Sequence, residues 1–194
     1  CAERLDHASP WLVTDEVAWY KNAEFSLTEC GNCGLIVATR LPDRYAIYQS
    51  YLEAGRAAKS AFARKRGRTN VVNVHEKRLA SVVELYKEVH GRQPSSVYDM
   101  GFGAGTMFDA AERLGLERFG GNEINLSAIN EMNAAFGGKG QFTHGFSRDI
   151  SGTADWDLVI NFDFLEHSYE PYHDLGVCNA LLKDGGLLYL KTLY

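Results

Sequence analysis

The chain lacks a long apolar run, a signal peptide and an excess of positive charge. None of its apolar stretches approaches the roughly 20 residues that a membrane-spanning helix requires, and no secretory leader pattern stands at its start. We therefore expect a cytoplasmic protein without membrane contact. The formal net charge of −5 argues against a general nucleic-acid binder, because such proteins present basic surfaces to phosphates.

Cysteine is also scarce, with four among 194 residues. In a chain of this kind cysteines are expected to be reduced or metal-bound rather than paired in disulfides. The composition, 45% hydrophobic and 23% charged, suits one globular domain with a small appendage. The sequence begins with Cys1 rather than Met, and Tyr194 closes a predicted strand. Both ends suggest a fragment of a longer protein.

The most informative segment is residues 97–106, VYDMGFGAGT. It predicts a buried strand that ends in a glycine-rich turn and continues into a helix. Gly101, Gly103 and Gly105 let the backbone bend tightly and approach a ligand, and the next helix offers free N–H groups at its start. Glu123 lies 22 residues beyond Gly101, after a second predicted strand, where a carboxylate can accept both hydroxyls of a ribose. The pattern predicts a nucleotide-cofactor site.

The glycine spacing does not fit a dinucleotide. Such sites require G-x-G-x-x-G, and the third glycine position is Thr106 here. Residues 99–105 instead read D-x-G-x-G-x-G, which resembles motif I of the class I S-adenosylmethionine-dependent methyltransferases, and Glu123 resembles the acid that ends their second strand. The resemblance implies S-adenosylmethionine as cofactor, with Asp99 beside its methionine ammonium group. The implied cofactor residues are Asp99, Gly101, Phe102, Gly103, Gly105 and Glu123.

Strands and helices alternate after residue 90, which predicts a Rossmann-like, doubly wound α/β fold with a mostly parallel sheet and helices on both faces. We predict strands at 96–100, 118–124, 141–144, 157–162 and 187–192. We predict helices at about 106–114, 126–136 and 171–182. An amphipathic helix over 73–90, with a capping box of Asn73 and Glu76, precedes them.

The sheet of the family has seven strands, and five are found in this sequence. Two C-terminal strands at one edge are therefore predicted to be missing. A strand left at an open edge could pair with a second copy of the chain, so a homodimer is a possible consequence.

A second motif resembles the fourth strand and following loop of the same methyltransferases. An apolar strand ends at Phe162 and is followed by Leu165-Glu166-His167, with Pro171 soon after. Methyl transfer needs an aligned nucleophile and, where that nucleophile is protonated, a base. His167 is the candidate base because an imidazole titrates near neutrality, and Glu166 could orient it or stabilise its charged form. A structural role for His167 stays open, and the alternative bases are His144, Tyr172 and His173.

Three further positions are candidate neighbours of the cofactor. Where the family often has an acid that accepts from the adenine amino group, this chain has Phe146. Phe146 could stack on adenine, with the backbone N–H of Ser147 as the polar contact, or it could be a core residue. Asp163 could line the cofactor pocket or cap the turn in which it lies.

Residues 1–70 are predicted to form a small unit in front of a methyltransferase domain over residues 71–194. Cys30 and Cys33 stand in a C-x-x-C-G turn that can present two thiolates to a structural zinc ion. Cys1 is a candidate third ligand, and the fourth is either His7 or a cysteine upstream. This arrangement resembles sugar C-methyltransferases and their relatives and would imply a nucleotide-linked sugar as acceptor. Two free cysteines are the alternative.

Together these patterns predict an enzyme that transfers a methyl group from S-adenosylmethionine to a small molecule. The first alternative is a truncated or degenerate domain that binds the cofactor or a partner without catalysis. An NAD-dependent oxidoreductase of the short-chain type is less favoured, because none of the ten tyrosines has lysine four residues later.

Overall fold

A computed structural model describes residues 10–11, 27–29, 34, 36–38, 49, 65–152 and 154–192. The chain divides into two compact units, residues 1–54 and residues 55–194. The predicted boundary lies later, at residue 70, and stays a prediction. The proposed zinc ligands Cys1, Cys30 and Cys33 lie outside the described residues.

Three short antiparallel strands are described in the first unit. They follow the chain in the sheet order β1-β2-β3. Their bounds are β1 (Pro10–Trp11), β2 (Leu27–Glu29) and β3 (Ile36–Ala38).

The second unit is built on a parallel five-stranded sheet. Its strands are β4 (Ser96–Met100), β5 (Arg118–Glu123), β6 (Gly140–His144), β7 (Trp156–Phe162) and β8 (Leu182–Lys191). Its helices are α1 (Lys65–His90), α2 (Thr106–Arg113), α3 (Leu126–Phe136) and α4 (Pro171–Leu181). The strand order is β6-β5-β4-β7-β8. The chain therefore adds β5 and β6 on one side of β4 and then returns to add β7 and β8 on its other side. The predicted Rossmann-like, doubly wound fold is confirmed.

Helices cover the sheet on both faces. Val97 and Leu158 belong to a buried cluster with residues of α1, α2 and α3. Tyr98 and Val159, the next residue along each strand, belong to a second cluster with Leu181 of α4. The two clusters lie on opposite faces because successive strand side chains alternate in direction. β4 is buried along its whole length, as expected for a strand covered on both sides.

Two predicted element starts are wrong. α1 begins at Lys65 rather than Asn73, so Asn73 and Glu76 lie inside the helix instead of capping it. Both accept from the Arg113 guanidinium, at 3.0 and 3.1 Å. β8 begins at Leu182 rather than at residue 187, and residues 183–186 form an irregularity within the strand. The pairing with β7 is interrupted there and resumes at Leu187. The other predicted bounds agree to within one residue.

Within the described ranges no helix has both the length and the apolar character needed to cross a membrane. In that same part of the chain, no group of three or more His, Cys, Asp or Glu side chains is arranged to hold a metal ion.

A buried carboxylate joins α1, β4 and β7 at the amino-terminal edge of the sheet. Asp157 is fully buried and accepts from the Tyr86 hydroxyl at 2.8 Å and the Arg92 guanidinium at 2.9 Å. Its second oxygen accepts from the N–H and hydroxyl of Ser95, both at 2.9 Å, and from the Ser96 hydroxyl at 3.1 Å. Burial opposes ionisation, but these hydrogen bonds outweigh it and hold the pKa of Asp157 well below its ordinary value.

Replacing Asp157 with Asn should lower the free energy of unfolding by about 3–5 kcal/mol, because the donors around it lose a buried charged partner. A depressed pKa contributes stability above the ordinary value of 3.8 that is lost as the pH falls toward the folded value. The difference between wild type and variant should therefore shrink below about pH 4. Urea unfolding at neutral and acidic pH measures both effects.

The matched control is Asp155→Asn. Asp155 is about half exposed and pairs with Arg118 at 2.6 Å, so its replacement should cost less than about 1 kcal/mol. Equal losses in the two variants would contradict the central role of Asp157.

Candidate functional site

The predicted cofactor residues meet at the carboxyl edge of the sheet. Because the five strands are parallel, their carboxyl ends lie along one edge, and ligands of such sheets bind there beside the reversal of strand order. The reversal falls between β4 and β7. Asp99 and the glycine turn stand at the end of β4, and Glu123 ends the neighbouring β5.

The three glycines of the turn have different roles. Gly101, Gly103 and Gly105 have φ values of 64°, 56° and 69°, a region that glycine adopts readily. A Cβ atom on Gly101 would lie 2.5 Å from the ring of Phe164, and one on Gly105 would collide with the sulfur of Met132. Among the described residues other than its two chain neighbours, no atom lies within 4 Å of a Cβ built on Gly103. Gly103 therefore presents its backbone to open space, where a ligand can lie.

Glu123 is oriented by the backbone on both sides of it. Its Oε2 accepts from the N–H of Gly103 and its Oε1 from the N–H of Asn125, each at 2.9 Å. Asn125 also caps α3, since its side chain accepts from the N–H of Ser127 at 3.0 Å. A carboxylate has about four lone-pair positions, so Glu123 keeps acceptor capacity for hydroxyl donors of a ligand.

Asn122 supports the glycine turn, and sequence reasoning missed it. Its side chain is buried, accepts from the N–H of Gly101 at 3.2 Å and donates to the carbonyl of Gly145 at 3.3 Å. Its backbone carbonyl accepts from the N–H of Phe102 at 3.2 Å. It thus joins the turns that follow β4 and β6. The available signal was an amide next to Glu123 in a strand otherwise free of neutral polar side chains.

Asp99 is a buried acid close to a second acid. It is 5% exposed. Burial, followed by the negative charge of Glu123, raises the pKa of Asp99 to about 8, so the group holds a proton at neutral pH. A bound cation would favour its ionised form. Two acids at the turn therefore fit a positively charged ligand.

The segment after β6 contains the two candidate adenine contacts. Phe146 is 45% exposed, and its N–H donates to Asp149 at 2.8 Å. Ser147 is buried, and its hydroxyl donates to Asp174. Asp174, a residue that sequence reasoning missed, also accepts from the Ser168 hydroxyl and so joins the loops after β6 and β7. Contacts of Phe146 and Ser147 with adenine stay predictions.

The candidate catalytic pair lies in a short 3₁₀ turn, Leu165–His167, after β7. Both Glu166 and His167 are exposed. The Glu166 carboxylate accepts from the Thr192 hydroxyl at 2.9 Å, which joins this turn to the chain after β8. The N–H of His167 donates to the carbonyl of Phe164 at 3.0 Å. Their catalytic roles stay predictions.

The alternative bases are dispersed. His144 lies at the end of β6, with Nε2 3.0 Å from the carbonyl of Ile124. Tyr172 and His173 lie in the first turn of α4, and both are exposed.

Asp163, a candidate neighbour of the cofactor, lies in the turn after β7 with φ of 48°. Its carboxylate pairs with Lys191, and its N–H donates to the Lys191 carbonyl at 2.8 Å.

The fold is that of S-adenosylmethionine-dependent methyltransferases, and the fold implied by the resemblance read from the sequence is confirmed. Among solved structures, the chain is similar to the plantazolicin methyltransferase BpumL in complex with a pentazolic desmethylPZN analog and SAH. The TM-score is 0.58 at 18% identity, over 76% of this chain and 57% of that one. At this identity the likeness establishes the fold.

Two relatives that match the chain in sequence are named after a particular reaction. The ubiquinone biosynthesis O-methyltransferases of Colwellia psychrerythraea and Rhizobium rhizogenes are 24% and 25% identical over 119 and 127 residues. These matches cover 59% and 60% of this chain but 48% and 51% of the relatives. The chain thus spans about half the length of the curated relatives it matches. No protein-family model matches the chain, and membership of the branch with a zinc-binding segment stays a prediction.

The raised pKa of Asp99 should make stability depend on pH. A group whose folded pKa exceeds its ordinary value, here 3.8, contributes stability that is complete below that value and is lost as the pH rises through about 8. The free energy of unfolding should therefore decline between about pH 4 and about pH 8. Asp99→Asn should flatten this decline, and urea unfolding across the range measures it. The exposed Asp184→Asn is the control, and an unchanged slope in Asp99→Asn would contradict the assignment.

Proposed function

We propose that the chain binds S-adenosylmethionine and forms part of an enzyme that transfers its methyl group to a small molecule. The observation that carries this proposal is the pair of acids, Asp99 and Glu123, around a turn whose central glycine faces open space. The cofactor combines a ribose with a positively charged sulfonium and ammonium, and the site offers the acceptors of Glu123 for the ribose hydroxyls and the acid of Asp99 for the ammonium.

Each residue has a distinct part in holding the cofactor. Glu123 accepts the ribose hydroxyls with its remaining lone pairs, while its bonds to the backbone keep the carboxylate oriented. Asp99 pairs with the methionine ammonium and gives up its proton when that cation arrives. Gly103 has no side chain, so the ligand can lie against its backbone. Phe146 stacks on adenine, beside a backbone donor at Ser147.

The glycine spacing supports this cofactor over NAD. A dinucleotide places its diphosphate at a glycine turn that reads G-x-G-x-x-G, and Thr106 occupies the third glycine position here. An acid at the position of Glu123 binds a ribose in dinucleotide sites as well, so the spacing of the glycines carries the distinction.

The chemistry needs an acceptor aligned with the methyl carbon and a residue to take its proton. When bound, the cofactor supplies a methyl group on a sulfonium that an acceptor atom can displace in line. His167, exposed at the same edge, is the proposed base, and Glu166 holds its turn against Thr192. The curated relatives are named O-methyltransferases, which supports an oxygen acceptor. A nucleotide-linked sugar acceptor is a weaker proposal, since it depends on the zinc segment.

Calorimetric titration with S-adenosylmethionine and, separately, with NADH tests the proposal. We expect saturable binding of the first ligand and none of the second. Glu123→Gln should weaken the binding about tenfold or more, because a hydrogen bond to a charged group contributes about 1.5–3 kcal/mol. The control Glu112→Gln removes an exposed pair with Lys139 and should change nothing. Binding of NADH, or no binding by folded protein, would refute the proposal.

Gly103→Ala tests whether the open space at the turn is the binding surface. The left-handed φ should cost about 1–2 kcal/mol of stability, and the added methyl group should weaken S-adenosylmethionine binding about tenfold or more, equivalent to about 1.4 kcal/mol. Gly138→Ala is the matched control, since that glycine has equal space around it but no positive φ. Unchanged affinity in Gly103→Ala would place the ligand elsewhere.

A further inference from the structure

Basic and imidazole side chains gather at the ends of β7 and β8, outside the residues assigned to the cofactor. His75 and Arg78 are three residues apart on α1 and so share a helix face. The His75 ring centroid lies 6.0 Å from that of Phe162, and the Arg78 Cζ lies 5.9 Å from it. Lys191 pairs in register with Phe162. We call His75, Arg78 and Lys191 the basic corner.

Arg78 and Lys191, the two cations of the basic corner, differ in whether an acid pairs with them. Lys191 donates to the Asp163 carboxylate, and Glu166, in the turn after β7, accepts from Thr192. Among the residues that the structure describes, Arg78 forms no ion pair with an acid. A guanidinium stacked on an aromatic ring is weakly hydrated, and its planar donors match a carboxylate through two parallel hydrogen bonds.

His75 supplies a neutral donor next to that charge. Burial, then the charge of Arg78, lowers the pKa of His75 below 6.5; Lys191 adds to this effect, and Asp163 opposes it. The ring is therefore neutral at pH 7. Its Nδ1 atom is buried without a hydrogen-bond partner in the described part of the chain. In the neutral tautomer with its proton on Nε2, the ring can donate to an anion.

We propose that the basic corner binds a carboxylate of the methyl acceptor, and that the substrate is therefore a small organic acid. This inference rests on the proposed methyltransferase function, because it brings the acceptor to the sheet edge that holds the cofactor. Arg78 provides the charge, and the Nε2–H of His75 provides a further donor. Lys191, through Asp163, holds the ends of β7 and β8 together.

A carboxylate fits the basic corner better than a phosphate ester. A phosphate monoester carries about 1.5 to 2 negative charges near pH 7, whereas Arg78 is the uncompensated cation among the described residues of the corner. One carboxylate charge is matched by one guanidinium. The Asp163 and Glu166 carboxylates, on the adjacent turn, would repel a more highly charged group.

Ligand-detected NMR titration of the protein saturated with S-adenosylhomocysteine tests the inference. The probes are benzoate, its neutral analogue benzyl alcohol, and phenyl phosphate. Benzoate should bind more tightly than either of the others. Arg78→Gln should weaken benzoate binding roughly 10- to 150-fold, and His75→Phe should weaken it roughly 2- to 10-fold, the ranges expected for charged and neutral hydrogen bonds. Neither variant should change the affinity for S-adenosylhomocysteine.

Arg113→Gln is the control, since Arg113 also contacts α1, through Asn73 and Glu76, but lies outside the basic corner, and its replacement should leave benzoate binding unchanged. Three results overturn the inference while leaving the proposed function intact: no benzoate binding, equal affinity in Arg78→Gln, or tighter binding of phenyl phosphate or benzyl alcohol. Failure of the wild type to bind S-adenosylhomocysteine refutes the proposed function and, with it, this inference.

Discussion

Parallel pairing of β4 with both β5 and β7 is the constraint on which the site depends. Asp99 pairs in register with Gly121 on one side and with Ile160 on the other. This register brings the glycine turn beside Asn122 and Glu123, which follow Gly121 along β5. A slip of one residue would reverse the face of every side chain in the strand and separate the carboxylate of Glu123 from the backbone N–H of the turn. Burial of β4 on both faces makes such a slip costly.

Polar residues at the strand ends join the loops that lie along the carboxyl edge of the sheet. Asn122 joins the turns after β4 and β6, Asp174 joins the loops after β6 and β7, and the pair of Lys191 with Asp163 joins the ends of β7 and β8. Each link spans two loops that the strands alone would leave independent. Loops carrying functional groups are thus positioned by hydrogen bonds from a rigid sheet, which is how binding sites reach useful geometry without a core of their own.

Two buried aspartates illustrate how surroundings decide the role of a residue type. Asp157 is ionised, because hydrogen bonds from Tyr86, Arg92 and Ser95 compensate its burial, and it stabilises the fold. Asp99 has burial and the neighbouring charge of Glu123 acting on it, so its pKa rises. Such an unfavourable environment lowers stability, and strongly shifted acids of this kind are typical of functional sites. The two aspartates thus act on the stability of one sheet in opposite directions.

Local patterns in the sequence determined the strands, the glycine turn and the order of elements, because alternation, glycine spacing and apolar runs act over a few residues. They also predicted that Asp99, the three glycines of the turn and Glu123 would lie at the ends of neighbouring strands. Tertiary structure decided what depends on distant partners. It turned the expected helix cap at Asn73 and Glu76 into a contact with Arg113. It also gave Asn122 and Asp174 their positions between loops, and brought His75 and Arg78 to the ring of Phe162, more than 80 residues away in the chain. Sequence spacing carries no record of such contacts, since packing and register alone bring those side chains together.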